Sequence, residues 1–164
     1  MDNNHDDTKN MTCEEYLELG LIYTRERAWS KAISCFSRAE EGFKGQKKAN
    51  PPALDSYTGL AIAMAGGDLS KAILRCKKGI DGDCYQPDFY LNLGKVYLKA
   101  QDKEQAIQVF RFGLQLDEEH QGLNREIKKL GVRREPPLTF LPRDHFLNKY
   151  FGKIKKRLKS ADIG

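Results

Sequence analysis

The sequence predicts an all-α protein built from helix pairs that recur along the chain. In the stretch 87–120, large apolar residues stand three or four positions apart, which places them on one face of a helix. A short polar turn divides this stretch into two such helical patterns. The same spacing recurs closely at 13–46 and more loosely at 54–86. Recurrence of one helix–turn–helix unit predicts a repeat architecture.

The third unit also predicts how its two helices meet. Gly94 lies in a helix interior, where glycine costs about 1 kcal/mol relative to alanine. A second helix that approaches closely at this point would explain the glycine. We therefore expect Gly94 to face Ala106 and Phe110 on the second helix of the pair.

The three units resemble the tetratricopeptide repeat, a helix–turn–helix module of about 34 residues. Its pattern is a large residue, Leu-Gly, Tyr, Ala, Phe and a small residue. The first unit supplies Tyr16, Leu19-Gly20, Tyr23, Ala32, Phe36 and Ala39, and the third supplies Tyr90, Leu93-Gly94, Tyr97, Ala106, Phe110 and Gly113. In the middle unit we align Leu60-Ala61, Met64, Ala72, Cys76 and Gly79 with these places, so its turn is one residue shorter. The resemblance, to a small three-repeat protein of bacterial type, implies a right-handed α-solenoid.

Capping signals and prolines divide the chain further. Thr12 and Glu15 form a capping box at the start of the first helix. The last repeat of an array needs a helix that covers its apolar face. We expect a disordered N-terminus at 1–11, repeats at 12–46, 54–86 and 87–120, a linker at 47–53, a capping helix at 121–131, an extended proline-rich arm at 132–145, a basic amphipathic helix at 146–159 and a tail at 160–164.

Charge sets the C-terminal quarter apart. The chain carries a net charge of +5, although the repeats themselves are mildly acidic. The basic helix has three interpretations: a lid on the chain's own repeats, a helix that binds a membrane surface or a partner, or a nucleic-acid contact, which its helical aromatic spacing disfavours. The residues that would make the tail contacts are Phe146, Tyr150, Lys153, Ile154 and Lys156.

Motifs for chemistry are missing from the sequence. The phosphate-binding spacing Gly-x4-Gly-Lys-Ser/Thr is absent, and no histidine lies within metal-ligand spacing of another histidine or a cysteine. We therefore expect no enzymatic activity, no cofactor or metal and no small-molecule substrate. The four cysteines fit buried apolar positions, and no 18-residue apolar run or secretory signal occurs, so we expect a cytoplasmic protein.

The resemblance implies a binding site for a protein or peptide. In this family the first helix of each repeat lines a concave groove. The groove residues carried over are Leu17, Leu21, Arg25, Ile62, Asp88, Leu91, Lys95, Leu98 and Lys99. Some family members hold a C-terminal carboxylate with Lys and Asn at set positions. The first repeat offers Leu17 and Leu21 there and the third offers Asp88 and Asn92, so the resemblance implies that this clamp is missing, which argues against that class of ligand. We predict an adaptor or scaffold, with a secretion-type chaperone and a peripheral membrane tether as alternatives, and self-association through an uncovered repeat face stays open.

Overall fold

The computed structural model describes residues 11–131, 146–147, 149–150 and 153–154. Within 11–131 the chain is helical and contains no β-strand. Its helices are α1 (Cys13–Arg25), α2 (Trp29–Gly45), α3 (Pro52–Met64), α4 (Leu69–Gly82), α5 (Pro87–Lys99), α6 (Lys103–Leu116) and α7 (Gln121–Lys129). The all-α prediction is confirmed for this part of the chain.

Local sequence signals explain where these helices begin. The predicted capping box precedes α1: the Thr12 hydroxyl accepts from the backbone of Glu15, whose carboxylate accepts from the backbone of Thr12. The carboxylate of Asp68 caps α4 by accepting from two backbone amides. Prolines stand at the first position of α3 and α5, where the missing N–H costs nothing. Helix α3 thus begins at Pro52, two residues before the expected start of the second repeat.

The helices pack as three helix–turn–helix pairs in sequence order: α1 with α2, α3 with α4, and α5 with α6. Neighbouring pairs stack through α2–α3, α3–α5 and α4–α5, and α7 covers the end of the array by packing on α6 and α5. The expected contact inside the third pair is confirmed, because a Cβ on Gly94 would lie 2.5 Å from Cδ1 of Phe110. Gly20 and Phe36 repeat this contact in the first pair.

The middle pair corrects our alignment by two residues. Helices α1, α3 and α5 each have 13 residues. Gly20, Gly59 and Gly94 each stand seven positions after the first residue of their helix, and Gly59 closely meets Cys76 of the paired helix. The place assigned to Ala61 therefore belongs to Gly59. The turn between α3 and α4 is then one residue longer than in the other pairs, not shorter, and Leu60 rather than Ile62 takes the place of Leu21 and Lys95.

An ionic cluster around one buried carboxylate connects the first two pairs. Asp55, on α3, is 2% exposed. Its carboxylate lies 2.7 Å from the guanidinium of Arg75 and 3.0 Å from the ammonium of Lys78. Arg75 also forms a two-pronged ion pair with Glu40 of α2. Because this guanidinium donates to Glu40, the pKa of Glu40 is held below its usual value. Three helices are thereby joined through one arginine.

Candidate functional site

The first helices of the three pairs are neighbours in the order α1, α3 and α5, with α7 beside α5, and we call the surface that they share the groove. A cavity of about 440 Å³ opens in the groove near the C-terminal ends of these helices. Its lining residues are Arg27, Trp29, Leu60, Met64, Lys95, Leu98, Lys99 and Glu126. The cavity thus combines residues from each of the three pairs with one from α7.

Four apolar side chains line the cavity. Leu60 of α3 is 4% exposed and forms the floor. Trp29, Met64 and Leu98 are half-buried, so each presents an apolar surface to the opening. Trp29 begins α2 directly after a tight turn in which Arg27 adopts a positive φ of 60°. This turn brings the side chains of Arg27 and Trp29 to the cavity.

Three cations surround these apolar residues. Arg27 and Lys99 are exposed, and Lys95 is half-buried in the middle of α5. None of the three forms an ion pair within the described residues. Burial lowers the pKa of Lys95, an effect that the carboxylate of Glu126 opposes and the nearby ammonium of Lys129 reinforces. Glu126 itself pairs with Lys129 at 3.0 Å.

The structure places the predicted groove residues in four different environments. Lys95, Leu98 and Lys99 line the cavity. On α1, Leu21 is half-buried and Arg25 is exposed. The carboxylate of Asp88 lies near the N-terminal end of α5, 3.3 Å from Nε2 of His120. Of the other three predicted residues, Leu17 and Leu91 are buried, and Ile62 is half-buried outside the cavity lining.

Leu17 and Leu91 differ from the sequence-based expectation because neighbouring helices cover them, and Ile62 differs because it lies outside the cavity. Leu17 is 9% exposed and belongs to the cluster between the first and second pairs, and Leu91 is 8% exposed and lies against α7 at Gly122. Ile62 contacts the turn at Gly67, outside the cavity lining, as the corrected register requires.

Five lining residues were missed from the sequence: Arg27, Trp29, Leu60, Met64 and Glu126. Leu60 and Met64 were missed because of the register error in the middle pair. The other three come from a turn, a second helix and the capping helix, whereas the sequence reasoning considered only the first helix of each repeat. Trp29, the single tryptophan of the chain, was the available signal.

The described part of the C-terminal segment packs on the repeats, away from the cavity. Leu147, Tyr150 and Ile154 are each less than 5% exposed and join the core that α4, α5 and α6 share. Asp81 of α4 accepts hydrogen bonds from the ammonium of Lys149 and the hydroxyl of Tyr150. The ammonium of Lys77 lies 4.6 Å from the ring centre of Phe146.

These contacts agree with the lid interpretation for the residues described, in which the apolar side of the segment faces the repeats. Lys153 is exposed, as that interpretation expects for its lysines. Lys156 and the arm at 132–145 lie outside the described residues.

The described residues were also searched for metal and membrane features. They hold no group of three or more His, Cys, Asp or Glu side chains that could bind a metal ion. None of the helices in this part of the chain is both long enough and apolar enough to cross a bilayer.

Comparison with known proteins identifies the fold. No protein-family model matches the sequence, and the search of curated proteins finds no match. Among solved structures, the Arabidopsis OM64 TPR domain matches with a TM-score of 0.60 and 18% identity, covering 73% of this chain and 94% of that one. The first TPR of Spaghetti (RPAP3), bound to an HSP90 peptide, matches with a TM-score of 0.59 and 17% identity over 73% of this chain and 90% of that one. YrrB, a TPR protein with an unusual peptide-binding site, matches with a TM-score of 0.59 and 18% identity over 73% of this chain and 59% of that one. The chain therefore has the fold of a tetratricopeptide-repeat solenoid.

Proposed function

We propose that this protein binds a peptide or helical segment of a partner protein in its groove and serves as an adaptor or scaffold. The observation that carries the proposal is the cavity of about 440 Å³, which combines exposed apolar surface with charged groups at its rim. Recognition sites for ligands are typically concave, mostly apolar and furnished with a few polar groups that fix orientation. Helical segments bind such grooves by inserting apolar anchors.

Two of the similar structures support this function. RPAP3 is described with a bound HSP90 peptide, and YrrB with a peptide-binding site. The bound peptide and the peptide-binding site are properties of those two proteins. At this low identity, the likeness to this chain extends only to the fold. The groove that this fold creates is nevertheless present here with open apolar residues.

The adaptor function is favoured over a membrane tether by the C-terminal segment. A tether would require Leu147, Tyr150 and Ile154 to leave the repeats, although these residues are buried there. A secretion-type chaperone would use the same groove to hold an export substrate. We expect the protein to act in the cytoplasm, which is favoured by four buried cysteines that form no disulfide among the described residues.

A peptide-display selection tests the groove. Random dodecapeptides are selected on the full chain, on the double variant Met64→Glu/Leu98→Glu and on the control Leu74→Glu. Leu74 is 66% exposed on α4 and does not line the cavity, so it matches the chemistry of the change without its location. We expect peptides enriched on the wild type to bind the control and to lose binding to the double variant. Equal binding to all three proteins would contradict the proposed site.

A further inference from the structure

One side of each first helix packs on the pair that precedes it in the array. On α3 this side packs on the first pair, because Leu54 and Ala61 belong to the same apolar cluster as Leu17 of α1. On α5 it packs on α3, where Asn92 donates a hydrogen bond to Ser56. Helix α1 belongs to the first pair, so the same side of α1 has no preceding pair among the described residues.

The residues at equivalent positions show how exposed this side of α1 is. Ala61 and Val96, the tenth residues of α3 and α5, are fully buried, whereas Ile22, the tenth residue of α1, is 45% exposed. The seventh residue changes in the same direction, because Leu93 is fully buried and Leu19 is half-buried. Large aliphatic side chains thus lie open to water where the later pairs bury theirs, and covering them would be favourable.

The chain itself offers little to cover this side of α1. Residues 1–10 contain Met1 as their single apolar side chain, which is far less than a helix pair supplies. Leu147, Tyr150 and Ile154 of the C-terminal segment are buried in the cluster of α4, α5 and α6 instead. A second copy cannot extend the array head to tail, because α7 covers the opposite end. It can meet this side of α1 with the same side of its own α1.

The charges around Ile22 make this surface complementary to itself. Glu18 lies four residues before Ile22 and Arg25 lies three residues after it, and both are exposed. Neither side chain forms an ion pair with another described residue. In a two-fold dimer the same patch of both subunits meets, so a residue and its contact exchange places between the copies. Two α1 helices that cross antiparallel at Ile22 therefore bring each Glu18 opposite the other copy's Arg25.

We propose that the protein forms a two-fold homodimer through α1, with the two Ile22 side chains in contact at the axis and an ion pair between Glu18 and Arg25 on either side. We call Glu18, Leu19, Ile22 and Arg25 the leading face. None of these residues lines the cavity, so each copy keeps its own. A dimer would thus present two grooves, and a partner with two binding segments would gain avidity without any new contact.

Sedimentation velocity of the full chain at increasing concentration tests the dimer. One helix face buries less than the ~1,200–2,000 Å² of a stable interface, so we expect a Kd of about 10–100 μM. Ile22→Glu should weaken association at least about tenfold, because it places two carboxylates opposite each other at the axis. The control Leu74→Glu introduces the same charge at a leucine that is 66% exposed on α4, and it should associate like the wild type.

Charge reversal tests the two-fold arrangement. Glu18→Arg brings arginines opposite each other, and Arg25→Glu brings glutamates opposite each other, so each variant alone should be monomeric where the wild type is dimeric. An equimolar mixture of the two variants places opposite charges together again and should form heterodimers. The double variant Glu18→Arg/Arg25→Glu should dimerise by itself for the same reason. Circular dichroism at 222 nm checks that every variant keeps its helices.

The outcomes decide this inference independently of peptide binding. A chain that stays monomeric up to about 1 mM would overturn it and leave the leading face to a helix of another protein. A dimer that persists in Ile22→Glu would use another surface, and a mixture of the two charge variants that stays monomeric would exclude the pairing of Glu18 with Arg25; either result overturns the inference. The groove variant Met64→Glu/Leu98→Glu should dimerise like the wild type, since neither residue lies on α1.

Discussion

Replacing Gly94 by alanine should destabilise the protein, although the same change inside most helices is favourable. Helix propensity alone would stabilise the variant by about 1 kcal/mol. Against this, the new Cβ would lie 2.5 Å from Cδ1 of Phe110, far inside the ~3.5–4.0 Å at which carbon atoms attract one another. Whether the substitution stabilises or destabilises the protein depends on whether the ring of Phe110 can move.

The surroundings of Phe110 allow little movement. Its side chain is fully buried in the core of the second and third pairs. Adding a methyl group to a close-packed core destabilises a protein by ~1–3 kcal/mol, and a required shift of about 1 Å places the cost in the upper part of that range. Subtracting the propensity gain leaves a net loss of about 2 kcal/mol, which corresponds to a fall in Tm of about 4–8 °C for a chain of this size.

Urea unfolding followed by circular dichroism at 222 nm measures this loss. The matched control is Gly45→Ala, at the end of α2, where a Cβ would meet nothing within 4 Å. We expect the control to remain within about 0.5 kcal/mol of the wild type or to be slightly more stable. If Gly94→Ala were as stable as Gly45→Ala, the close approach of α5 and α6 at this glycine would not exist as described.

Three further predictions concern charge and pH. Arg75→Met should lower the free energy of unfolding by about 3 kcal/mol, because a buried carboxylate loses its main partner. Arg75 holds the pKa of Glu40 down, so this stabilisation is present above the usual pKa range of Glu and is lost on acidification. The free energy of unfolding should therefore fall less steeply between pH 7 and pH 3 in the variant than in the wild type. An equal fall in both proteins would contradict the pairing. Asp81→Asn should release the C-terminal segment, so trypsin should cleave after the lysines of 146–159 faster than in the wild type, while equal rates would argue against the docking. Burial raises the pKa of Tyr150 to about 12, so the stability it contributes is complete below pH 10 and disappears as the pH rises to 12; Tyr150→Phe should remove this alkaline loss, measured by denaturant midpoints at pH 9 and 11.5.

The sequence predicted the first and third pairs well because their patterns contain both the glycine and the aromatic residue that packs against it. The middle pair was placed two residues out of register because Leu60-Ala61 resembles Leu-Gly more than Thr58-Gly59 does. The prolines could have prevented this error. Pro52 and Pro87 both open a helix, and Gly59 and Gly94 follow them by the same seven residues.

The groove was harder to predict than the helices for a geometrical reason. A helix in a solenoid contacts its pair partner and the helices of neighbouring pairs, so period alone does not separate a residue between two repeats from one on the open surface. Leu17 and Leu91 belong to the first kind, and Leu98 to the second. Residues such as Glu126 join the site only through the way α7 folds back on α5, which no pattern within a repeat contains.

The position of α7 limits how this protein can change in length during evolution. Solenoids commonly grow by duplication of a repeat next to an existing one. A fourth pair inserted after α6 would occupy the face that α7 now covers, and it would carry Glu126 away from the cavity and His120 away from Asp88. An array that keeps this site must therefore keep three pairs at this end, and any added repeat would have to enter before α1.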